Sequence, residues 1–210
     1  MDAGGFRELP LMGILRGIDI SDVEPLVEAV IGAGLKAMEI TMNTPAADRL
    51  IAKAVSVSRG RIAIGAGTVL SAGELDKALV SGASFIVLPA CVEDVVKRCV
   101  DKNIPVFPGA LTPQEVLNAW EMGAAMVKVF PSGLFGPAYI KELKGPFDKI
   151  RLMAVGGVRL DNVSEYFSSG ADAVAFGASV FKKEWLAKKD YASISRLVGE
   201  FVSAVKSANA

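Results

Sequence analysis

Short apolar runs rich in β-branched residues alternate with longer stretches in which apolar side chains recur every three or four positions, and the alternation continues along the whole chain. The short runs predict strands over 11–16 (LMGILR), 37–43 (AMEITMN), 62–69 (IAIGAGTV), 85–90 (FIVLPA), 105–110 (PVFPGA), 126–131 (MVKVFP), 151–156 (RLMAVG) and 173–178 (AVAFGA). The longer stretches predict helices near 22–33, 46–57, 72–80, 92–101, 113–121, 137–144, 161–168 and 191–206. Ser21, Thr44, Ser71 and Thr112 stand where N-caps belong, and Gly34, Gly82, Gly123 and Gly170 stand where a C′ glycine belongs. Eight strand-helix pairs at this spacing predict an α/β protein, a (β/α)8 TIM barrel forming one domain over 1–210 with a C-terminal helix. An open doubly wound sheet is the competing architecture, but it seldom repeats so evenly through eight units. In the tail, Ile194, Leu197, Val198, Phe201, Val202 and Val205 form one apolar stripe, expected to pack on the barrel.

One residue breaks the pattern. Lys128 is the only ionisable side chain in the run AAMVKVFP, bounded by Gly123 and Pro131. A buried ammonium loses hydration, its pKa falls, and more of it becomes the neutral amine that attacks carbonyls. The competing reading is a lysine at the strand end, paired with a carboxylate or reaching solvent.

Period-2 alternation in 37–43 puts Glu39, Thr41 and Asn43 on one face and Ile40 and Met42 on the other. The apolar pair suits the helices, so the polar set is expected inside the barrel. Glu39 is the one acid in the predicted strand cores, and a carboxylate there is costly unless paired or functional. Imine chemistry needs such a group to move protons beside the amine. A structural Glu39–Lys128 ion pair is equally compatible with the pattern.

Composition narrows the chemistry further. The chain has no histidine, which removes Ser-His-Asp and Cys-His nucleophile systems and every His-containing zinc site. Twenty-three acidic and 23 basic side chains balance, so there is no general attraction to nucleic acid or to an anionic membrane. No stretch approaches the roughly 20 apolar residues that span a bilayer, and the N-terminus shows no signal-peptide core; a soluble cytoplasmic protein is the expectation. Cys91 and Cys99, read as eight residues apart on one helix, would lie roughly 12 Å apart, too far to bridge.

Glycine turns follow strands 3, 7 and 8 at Gly65-Ala66-Gly67-Thr68, Gly156-Gly157 and Gly177-Ala178-Ser179. Open backbone amides after strands 7 and 8 suit a phosphate, though tight turns need glycine in any case. Arg16 closes strand 1, where a guanidinium can fork a substrate carboxylate or bind a loop acid.

Together, ILRG at 14–17, Glu39-Ile-Thr, GAGTVL at 65–70, FIVLP at 85–89, PGALTPQE at 108–115, KVFPSGLFGP at 128–137 and GGV at 156–158 resemble the class I aldolases acting on 2-keto-3-deoxy-6-phosphogluconate (KDPG) and its galactonate epimer (KDPGal). The resemblance implies that Lys128 forms an imine with the C2 carbonyl and that Glu39 shuttles protons through a water. It implies that Thr68 and Pro89 line the pyruvate pocket and that amides near Gly157, Gly177, Ala178 and Ser179 hold the phosphate. It further implies reversible cleavage to pyruvate and glyceraldehyde 3-phosphate, no metal or other cofactor, and a homotrimer. Two departures bear on the substrate. Gluconate-type enzymes often carry arginine at the position of Asn43, a task Arg16 can assume. They often read Pro-Thr-Gly-Gly where this chain has Ala154-Val155-Gly156-Gly157, so Val155 removes a hydroxyl near C4, and the pattern leans to the phosphogalactonate branch. The alternatives are another phosphate-binding barrel, an isomerase or synthase with Lys128 as acid/base, and a catalytically silent sugar-phosphate binder.

Overall fold

The computed structural model describes residues 8–208. Eight parallel strands form the barrel: β1 (Leu11–Leu15), β2 (Ala37–Thr41), β3 (Ala63–Gly67), β4 (Ile86–Val87), β5, β6 (Val127–Val129), β7 (Leu152–Val155) and β8 (Ala173–Phe176). β5 comes in two halves, Val106–Phe107 pairing with β4 and Gly109–Ala110 pairing with β6. Pro108 sits at the break because it has no N–H to give to a ladder, while its carbonyl still accepts from the Lys128 N–H at 2.9 Å. β1 pairs with both β2 and β8, so the two halves of β5 close the ring.

Helices α1 (Ile20–Gly32), α2 (Ala47–Ser58), α3 (Ala72–Val80), α4 (Glu93–Asp101), α5 (Pro113–Glu121), α6 (Pro137–Lys144), α7 (Val163–Ser168), α8 (Lys183–Ala187) and α9 (Tyr191–Ala208) surround it. Two cores result. Alternate residues such as Met38, Ile40, Val127 and Val129 meet the helices, while Met12, Phe85, Phe107, Met126, Met153 and Val155 fill the barrel. Phe85 and Phe107 meet edge to face at 5.8 Å, and Gly65 is what leaves room: a β-carbon there would lie 2.2 Å from the Phe85 ring.

Ser71 and Thr112 cap α3 and α5 as expected, accepting the N–H groups of Glu74 and Glu115. Two caps differ. α1 begins at Ile20 with Asp19 as N-cap rather than Ser21, because the Asp22 carboxylate accepts the Asp19 N–H and also the Tyr191 hydroxyl. α2 begins after Ala46, not at Thr44, whose buried hydroxyl instead accepts the Gly17 N–H and bonds to Thr41. Gly34, Gly82, Gly123 and Gly170 follow their helices at φ of 89, 88, 93 and 96°, the left-handed geometry a C′ residue takes. Cys91 lies before α4 rather than on it, and both thiols are free. The α9 stripe packs against the barrel helices, with Ile194, Val198, Phe201, Val202 and Val205 buried and Leu197 half-buried. Among the described residues, no helix is long and apolar enough to cross a membrane.

Candidate active site

Lys128 is the central residue of β6. Its neighbours Val127 and Val129 belong to the outer core, so the pleat turns Lys128 inward above Met126. Its register partners are Gly109 on β5 and Met153 on β7. Gly109 carries no side chain because the β4 end approaches it: a β-carbon would lie 2.2 Å from the Pro89 carbonyl oxygen. Pro89, at the end of β4, therefore lies two strands from Lys128 with only the bare backbone of Gly109 between them.

Lys128 is 5 % exposed, with its Nζ 5.1 Å from the centroid of the Phe130 ring. Burial lowers its pKa, the Glu39 charge opposes that shift, and the Arg16 charge reinforces it. Glu39 is 1 % exposed, and burial pushes its carboxyl up to about 6 against the pull of Lys128 and Arg16. Each shift moves its group toward neutral pH, as an amine nucleophile and a general acid/base both require. Glu39 Oε2 is buried without a hydrogen-bond partner. Among the described residues no carboxylate lies within 4.0 Å of Lys128 Nζ, so the structural ion pair that the sequence also permits is not formed. The carboxyl and amine sense each other's charge across a gap rather than neutralising each other in contact.

Arg16 follows β1 and points over the same mouth, its guanidinium donating to Thr68 Oγ1 at 3.3 Å. Thr68 follows β3 at φ 56°, a left-handed conformation that a β-branched residue rarely adopts and that turns its hydroxyl toward Arg16. The Thr44 bridge to Gly17 and Thr41 ties the loop bearing Arg16 to the end of β2.

Gly156 and Gly157 follow β7 at φ 87 and 76°, and the Asn162 amide donates to the Gly157 carbonyl at 3.0 Å. After β8 the Gly177 carbonyl accepts from Val180 and Phe181. Among the described residues the N–H groups of Gly157, Ala178 and Ser179 donate to no protein acceptor, so they are open to an anion.

Asn43 is a correction. β2 ends at Thr41, so the alternation stops and Asn43 lies exposed in the following turn instead of inside the barrel. Val155 is 2 % exposed and faces inward with Met153. Phe130 and Ser132 are additions. Phe130 stands two residues beyond Lys128, so period 2 alone points it at the same cleft. Ser132 carries no such signal in the sequence.

An inward amine on β6 and an inward carboxyl of raised pKa on β2 define a barrel built for lysine chemistry on a carbonyl compound. The family described as "Aldolase: KDPG and KHG aldolase" matches residues 4–197, and the chain belongs to that family. The 2-dehydro-3-deoxy-6-phosphogalactonate aldolase of Escherichia coli (strain K12) is 38% identical over 177 residues, 83% of this chain and 86% of that protein. The 2-dehydro-3-deoxy-phosphogluconate aldolase of Haemophilus influenzae is 35% identical over 95% of this chain and 94% of its own. A solved structure described as native KDPGal superposes with a TM-score of 0.90 at 35% identity, covering 96% of this chain and 97% of its own.

Proposed function

We propose that the protein is a class I aldolase that reversibly cleaves a 2-keto-3-deoxy-6-phospho-aldonate, with the galactonate epimer preferred, to pyruvate and D-glyceraldehyde 3-phosphate. The observation that carries this reading is the pairing of Lys128 and Glu39 inside the barrel: the first held below its ordinary pKa, the second raised to about 6, and the two not in contact.

The neutral Lys128 amine attacks the C2 carbonyl, and loss of water leaves an iminium. The C3–C4 bond then breaks, its electrons passing into the iminium to give an enamine, while the C4 hydroxyl loses its proton and becomes the aldehyde. Glu39 takes and returns protons at the carbinolamine, cleavage and enamine steps, a task suited to a carboxyl whose pKa lies near working pH. The iminium is the electron sink, so no metal is required. Arg16 grips the carboxylate, Thr68 and Pro89 line the pyruvate end, and the amides around Gly156, Gly157, Gly177, Ala178 and Ser179 receive the phosphate. Val155 tunes selection at C4. With Asn43 in the turn after β2, its role is reduced to the rim.

The single barrel domain is the working unit, as a homotrimer in the cytoplasm. Exposed Leu134 and Phe135, beside the Lys128 turn, are surface that assembly would cover. No nucleic-acid or membrane partner enters this reading. Pyruvate release from the two phosphorylated epimers, measured side by side with lactate dehydrogenase, tests it. Faster release from the galactonate epimer is expected, and no release from either would end the proposal.

A further inference from the structure

The ends of β6 and β7 are joined by a side chain that the chemistry above does not use. Ser132 opens the 3-10 turn Ser132–Leu134 and is 1 % exposed. Its hydroxyl donates to the Val129 carbonyl at 2.7 Å and accepts the Val155 N–H at 3.1 Å. Val129 directly follows Lys128, and Val155 directly precedes Gly156. One buried hydroxyl therefore links the backbone carrying the amine to the backbone carrying the glycine amides, with its donor and an acceptor lone pair both in use.

The contact next to it is backbone on backbone. A β-carbon on Gly133 would lie 2.9 Å from the Gly157 Cα, and one on Gly157 would lie 2.6 Å from the Gly133 Cα. The turn after β7 is thus seated on the turn after β6 with no side chain between them to absorb a shift. Removing the hydroxyl would leave a buried Val155 N–H unpaired, and the segment would have to move to satisfy it.

We propose that Ser132 is a positioning residue that fixes the distance between the Lys128 amine and the amides of the Gly156–Gly157 turn. It thereby makes the site selective for keto acids bearing a phosphate at the far end over the unphosphorylated acids. This rests on the reading of Lys128 as the imine-forming residue and of the glycine turns as the phosphate cradle.

The test compares Ser132→Ala, Ser132→Thr and Gly133→Ala with the unaltered chain. Ser132→Ala should raise KM for 2-keto-3-deoxy-6-phosphogalactonate about tenfold, the effect of one lost hydrogen bond, and change kcat by less than about twofold. KM for the unphosphorylated acid should not move, and Ser132→Thr, which keeps the hydroxyl, should restore most of the loss. Gly133→Ala strains the same seam without touching the hydroxyl and should give the same selective rise; it carries the comparison if Ser132→Ala fails to fold. Inorganic phosphate titrated against each chain by 31P NMR should bind more weakly to both alanine variants. Equal KM increases for both acids, or unchanged KM and phosphate affinity, would overturn the inference. An unaltered chain that releases no pyruvate would refute the aldolase reading alone, and the phosphate titration would still decide this one.

Discussion

The carboxyl group of Glu39 occupies the space a side chain on Gly67 would need: a β-carbon there would lie 2.3 Å from Oε1 and 2.5 Å from Cδ. Gly67 ends β3 in register with Thr41, so the barrel wall beside the acid is bare backbone. Gly67→Ala must therefore push the carboxyl aside. We expect kcat to fall on the order of a hundredfold, the effect of a displacement near 1 Å at a reacting group. Overpacking should cost about 1–3 kcal/mol of stability. Steady-state kinetics with a urea melt separates the two effects, and an unchanged kcat would show that Glu39 has room to spare.

Glu39 should set an acid-side limb near pH 6 in kcat/KM, and Glu39→Gln should remove that limb and slow proton transfer while still permitting imine trapping. The stability effect has a definite sign. The folded-state pKa lies above the ordinary 4.5, so the contribution of Glu39 is fully present below pH 4.5 and is lost as pH rises through about 6. Glu39→Gln should thus gain up to about 2 kcal/mol on the unaltered chain at pH 7.5, with the gap closing below pH 4.5. Denaturant melts at the two pH values check this.

Val155 faces the barrel interior within reach of the same cleft, and threonine has nearly its shape. Val155→Thr should move the ratio of cleavage rates toward the gluconate epimer by about tenfold, the range that one hydroxyl contact commands. Burying the hydroxyl should cost about 1–3 kcal/mol unless it finds a partner. Parallel pyruvate-release assays on the two epimers give the ratio directly.

Lys128→Met should abolish turnover and leave the fold intact. Because Lys128 is desolvated and lacks a carboxylate in contact, an apolar replacement of similar length removes a cost instead of a contact. The melting temperature should be equal or higher. A large drop would mean that the lysine holds the barrel together.

The barrel was legible because its strands and helices obey two clean periods. Predicted helix bounds at 72–80, 113–121 and 137–144 coincide with α3, α5 and α6, where Ser71, Thr112 and Pro137 punctuate the chain. The strand predicted over 37–43 runs two residues past β2, because side-chain alternation does not register where the ladder stops; its last bond is the Met42 N–H to the Gly67 carbonyl at 2.7 Å. α8 was hidden because its five residues are too few to show a period. Lys128 and Glu39 could be found as charges misplaced in apolar strands. Ser132 could not, because serine before glycine after a strand reads as an ordinary turn, and only the distances to Val129 and Val155 reveal its bridging place.

The central claim is that the amine of Lys128 forms an imine with the keto acid. Treating the protein with pyruvate and borohydride, then mapping the labelled peptide by mass spectrometry, tests it most directly. The account predicts one reduced pyruvate adduct per chain, on Lys128, absent from Lys128→Met. No adduct, or an adduct on another lysine, would contradict it.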